Sequence, residues 1–85
     1  MTLGPVRDAR GGEGEASSLA GEILHVVLGH PYAPGAPISL RLTRSDGELS
    51  LEGRTIGSKR REDGRYDVRL RLVNLTREHR ARLAT

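Results

Sequence analysis

A small antiparallel β-barrel of about four or five strands, all-β but for a short terminal helix, is the fold class this sequence predicts. Three observations carry it. Apolar side chains recur at every second position in successive stretches, Gly- and Pro-rich turn signals bound each stretch, and 85 residues leave room for one domain. A sheet with a single apolar face needs a second layer, so it has to curl upon itself.

In chain order, residues 1–17 read as a flexible N-terminal arm. The run Gly11-Gly12-Glu13-Gly14-Glu15 has no apolar periodicity and little to bury against the entropy of ordering it. The domain proper is expected over residues 18–85. Ile23-Leu24-His25-Val26-Val27-Leu28 is short, β-branched and bounded by Gly21 and Gly29, as a buried strand should be. The three prolines of residues 29–37 fix φ and remove donors, which makes a loop. Ile38-Ser39-Leu40-Arg41-Leu42-Thr43-Arg44 then alternates cleanly, and Ser45-Asp46-Gly47 suits a tight hairpin turn. Leu49 and Leu51 keep period two until Gly53, where the apolar phase slips toward Ile56 and predicts a bulge or bend. After the turn signal Glu62-Asp63-Gly64, the last strand places Tyr66, Val68, Leu70 and Leu72 on one side and Asp67, Arg69 and Arg71 on the other. Asn74 or Thr76 is suited to cap a short helix over residues 77–84.

Composition narrows the function classes. With no Cys there is no disulfide framework and no thiolate metal site, and the aromatics are Tyr32 and Tyr66 alone. The longest apolar run, Ile23 to Leu28, is far short of the roughly 20 residues a membrane span requires. A cytoplasmic protein is the expectation. The net charge is +3, and beyond residue 18 twelve Lys/Arg face eight acids, a balance that favours an anionic partner.

The order of elements carries a resemblance. From Ser18 onward the chain resembles a PilZ domain, the bacterial β-barrel that senses cyclic di-GMP. Ser18-Leu19-Ala20-Gly21 is similar to the Ser-x-x-Gly half of the family's [Asp/Asn]-x-Ser-x-x-Gly motif. Residues 33–40 resemble its Pro-Gly turn into an alternating strand, residues 62–72 its final hairpin, and Asn74-Leu75-Thr76 its entry to the terminal helix. The resemblance implies a regulatory or adaptor barrel with Arg7, Arg10, Ser18 and Gly21 as the ligand-binding residues. Two departures stand against a full nucleotide site. Arg7 and Arg10 are one residue closer than the family's Arg-x-x-x-Arg, and Ala16 occupies the Asp/Asn position. The arm also lies so close to the motif that the family's first strand is expected to be missing, leaving an open sheet edge and inviting a homodimer or a partner-completed sheet.

The residues leave two functional classes open. One is a PilZ-like domain that binds cyclic di-GMP weakly through Arg7, Arg10 and Ser18, or acts by protein contact. The other is a basic barrel for nucleic acid, carried by Arg41, Arg54, Lys59, Arg60, Arg61, Arg65, Arg69 and Arg71. Two tyrosines supply few stacking platforms for single strands. His25, His30 and His79 match no metal-ligand spacing, and no nucleophile sits in a recognisable catalytic motif, so neither a metal, a cofactor nor an enzyme is expected.

Overall fold

The computed structural model describes residues 3–44 and 47–73, together with Arg77 and Ala81. Six antiparallel strands run β1 Gly4–Asp8, β2 Glu13–Ala20, β3 Ile23–Leu28, β4 Pro37–Arg44, β5 Gly47–Arg60 and β6 Tyr66–Val73. They close into a barrel in the order β1-β2-β3-β6-β5-β4, with β4 returning to pair with β1.

Alternation along the strands sorts inside from outside. In β4, Ile38, Leu40 and Leu42 are buried, while Ser39, Arg41 and Thr43 face out. In β6, Val68, Leu70 and Leu72 point inward, with Arg69, Arg71 and Val73 outside and Tyr66 half-buried against the core. Leu24, Val26 and Leu28 of β3 complete an aliphatic interior that Val6 and Ala16 close on the other side.

Residues 1–17 are therefore not an arm over their described part. Gly4–Asp8 is the first barrel strand, and Glu13 onward begins the second. Composition misleads here because β1 and β2 contribute few large core residues. Their order comes from main-chain pairing on both flanks, β1 with β4 and β2 with β3. The glycines belong to that pairing. A Cβ on Gly14 would collide with the Val27 carbonyl, so close strand approach, rather than disorder, accounts for the residue. The first strand is present, and the open edge that suggested a homodimer has no counterpart among the described strands.

The expected bend in β5 exists, three residues later than the sequence suggests. Gly53 and Thr55 stay in phase with Leu49 and Leu51, facing inward. Ile56 therefore follows by alternation onto the outer face, 41% exposed, instead of into the core, and the register against β6 shifts only there, between Thr55 and Gly57. Ser45 and Asp46, and the expected C-terminal helix apart from Arg77 and Ala81, lie outside the described residues.

Candidate functional site

At one end of the barrel, the β1–β2 turn meets the long β3–β4 loop around a buried carboxylate. Asp8 ends β1 pointing inward, with its side chain fully shielded from solvent. Its Oδ1 accepts the main-chain N–H of Arg10 at 3.0 Å and of Gly12 at 2.7 Å. Its Oδ2 accepts the hydroxyl of Tyr32 at 2.7 Å. His30 Nε2 stands 2.9 Å from the same Oδ2, within ion-pair reach but without a well-directed hydrogen bond. Tyr32 is itself pinned from behind: its N–H donates to Ser58 Oγ, whose hydroxyl donates back to the Tyr32 carbonyl. The Arg10 guanidinium lies 4.7 Å from the centre of the Tyr32 ring, a cation–π contact.

The electrostatics follow from this packing. Burial pushes the Asp8 carboxyl up. The Tyr32 hydroxyl, the Gly12 N–H, the His30 charge and the Arg10 N–H together outweigh it and hold the group below its ordinary value. Burial, the hydrogen bond to Asp8 and the charge of Asp8 push the Tyr32 phenol up to about 12. Asp8 and His30 would make an acid–base pair, but no described hydroxyl hydrogen-bonds to His30 as a nucleophile would. The cluster directs its polar groups at one another and locks two loops to the barrel end. Among the described residues no set of three or more His, Asp or Glu side chains converges as metal ligands would.

The outer wall carries two pairs of opposed arginines with different surroundings. Arg7 of β1 faces Arg41 of β4 across the ladder, and each has an acid beside it. Arg7 Nη2 reaches Glu13 Oε1 at 2.7 Å, and Arg41 Nη1 stands 4.0 Å from Glu48 Oε2. A groove of about 370 Å³ runs between these groups, lined also by Pro5 and Thr43. On the far side Arg54 of β5 faces Arg71 of β6, with Arg69 two residues along and His25 of β3 opposite Arg69. Among the described residues no carboxylate lies within ion-pair distance of Arg54, Arg69 or Arg71, and the one hydrogen bond from these side chains runs from Arg54 to the Gly35 carbonyl. Arg61, by contrast, is held by Asp67 at 2.8 Å.

The four residues expected to bind a ligand are not brought together. Arg7 lies in β1 and Arg10 in the β1–β2 turn, whereas Ser18 is exposed near the far end of β2 and Gly21 lies in the β2–β3 turn with φ 62°. Five residue steps of strand run from Glu13 to Ser18, about 17 Å. Ser18 instead aligns with His25 and, through β3, with Arg69. Sequence reasoning passed over Asp8 and Tyr32 as a unit, since 24 positions separate them. One local signal was legible: an Asp two and four residues before turn N–H groups favours this kind of side-chain capping.

Among the described residues no helix is long and apolar enough to cross a membrane. The chain matches no protein-family model, no curated protein and no solved structure.

Proposed function

We propose that this chain is a non-catalytic, PilZ-like regulatory barrel of cyclic di-GMP signalling that acts as an adaptor by protein contact. The observation that carries this reading is the separation of Arg7 and Arg10 from Ser18 and Gly21 by the length of β2. A dinucleotide clamp needs planar donors converging on phosphate and guanine edges. Arg7 is already engaged by Glu13, and Arg10 lies over Tyr32. The closed antiparallel barrel supports the fold that the resemblance implies, and the inward-turned Asp8 cluster supports a structural rather than catalytic use of its titratable groups.

Calorimetric titration with cyclic di-GMP tests it. The expected result is no saturable heat at ligand concentrations up to about 100 µM. A micromolar isotherm that Arg10→Ala abolishes and Arg69→Ala leaves intact would establish a nucleotide site and sink the adaptor reading. A nucleic-acid barrel is the second reading, favoured by the unneutralised Arg54–Arg71 pair. It predicts oligonucleotide binding that weakens steeply with salt.

A further inference from the structure

We infer that the outer face of β3, β6 and β5 is a docking surface for an acidic protein segment that also carries apolar side chains. The inference rests on the adaptor reading for the class of partner.

Like charges directly opposite one another on a sheet repel, and proteins ordinarily place an acid beside them. This barrel does so once: Arg7 and Arg41 are opposed, with Glu13 and Glu48 alongside. It does not do so for Arg54 and Arg71. Arg69 lies about 7 Å along the strand from Arg71 on the same face; it is exposed, and its guanidinium extends over Gly57. Three arginines thus share one face with no carboxylate within ion-pair distance among the described residues, since Asp67 on that face is engaged by Arg61, and His25 extends the row. A carboxylate supplied by a partner would relieve the repulsion and accept the planar guanidinium donors.

The same face holds the two large hydrophobic side chains that stand exposed among the described residues. Ile56 stands outward at the bulge beside Arg69, and Val73 follows Arg71 along β6; both are 41% exposed. A patch of arginines interleaved with aliphatic side chains matches acidic-apolar protein segments. Nucleic acid would call for aromatic stacking platforms. Tyr32 is buried in the barrel end and Tyr66 is half-buried at the start of β6, so neither serves this face.

The experiment uses the full chain and a synthetic peptide of alternating Asp/Glu and Leu, with an Asp/Glu-only peptide of equal charge and an oligothymidylate as comparisons. Amide shifts in the wild type are expected to cluster at His25, Arg54, Ile56, Arg69 and Arg71. The acidic-only peptide should bind more weakly. The double substitution Arg69→Glu with Arg71→Glu should cost about tenfold or more in affinity, while Arg41→Glu on the neutralised side leaves it unchanged. Shift mapping in the wild type reads the face even if the double variant is poorly folded. No peptide binding, shifts scattered around the barrel, an equal loss with Arg41→Glu, or tighter binding of the oligothymidylate would each overturn the inference. The cyclic di-GMP titration is read independently, so a nucleotide site would end the adaptor reading without being mistaken for failure of this face.

Discussion

Asp8 is the residue on which most local order converges. It is buried, yet it accepts three hydrogen bonds, two from the turn that follows it and one from a loop 24 positions away. Hydrogen bonds to a charged acceptor contribute roughly 1.5–3 kcal/mol each, so Asp8→Ala should destabilise the barrel by at least about 2 kcal/mol in urea unfolding. The pH dependence has a definite sign. The folded carboxyl titrates below its ordinary 3.8, so its stabilisation is present above that value and is lost as pH falls through the lower folded value. The Tyr32 phenol titrates higher in the folded state, at about 12 against 10. Its stabilisation is therefore complete below pH 10 and fades between pH 10 and about 12. Tyr32→Phe should remove that alkaline loss from a urea-midpoint profile; an unchanged alkaline limb would show that another group controls it. Thr55 offers the opposite case. Its Oγ1 is buried with no hydrogen-bond partner among the described residues, so the near-isosteric Thr55→Val should raise stability by about 1 kcal/mol, read as a higher melting temperature.

At the scale of elements, the long strand β5 shows how glycine and a bulge work together. Gly53 faces inward, and a Cβ there would stand 2.5 Å from the Arg71 carbonyl oxygen and 2.9 Å from Leu70 Cδ1. Gly53→Ala must push β5 off β6 at their contact, costing about 1–3 kcal/mol by the usual cost of overpacking. A fully neutral Gly53→Ala variant in urea unfolding would show that the strands can part there freely. The bulge after Thr55 then bends the strand so that its last residues reach the β3–β4 loop, where Ser58 holds Tyr32. Bulges re-aim side chains in this way. One irregularity thus sets the phase of Ser58, opposite inward-facing Val68, and with it the seat of Tyr32.

At the scale of the whole molecule, closure is the property that matters. β1 pairs with both β2 and β4, and its removal would leave two strand edges unpaired and uncover the core at Val6. Deletion of residues 1–8 is therefore expected to abolish cooperative thermal unfolding by circular dichroism; an unchanged transition would mean that these residues are an appendage after all. Closure also removes the edge that would template pairing with a second copy. Light scattering is accordingly expected to give a monomer mass over the micromolar range, and a concentration-independent dimer would require an interface on the barrel's outer faces.

Alternation every second residue and the turn chemistry of Gly, Asp and Pro were enough to read β3, β4, the first half of β5 and β6 directly, because a half-buried strand writes its two faces into adjacent positions. The cationic surplus beyond residue 18 was also legible, since charge needs no fold to be counted, whereas the juxtaposition of Arg54 with Arg71 came from strand pairing. Three further things were decided only by the tertiary structure. β1 and β2 are strands because neighbours on both sides supply their hydrogen bonds, a term that the Gly-rich composition of residues 11–14 does not record. Asp8, His30 and Tyr32 form one cluster because barrel closure brings a turn and a loop to the same end. Arg7 and Arg10 are parted from Ser18 and Gly21 because the segment between them is extended rather than slack. Proximity along a chain becomes proximity in space only when that chain is free to fold back, and here β2 holds it straight.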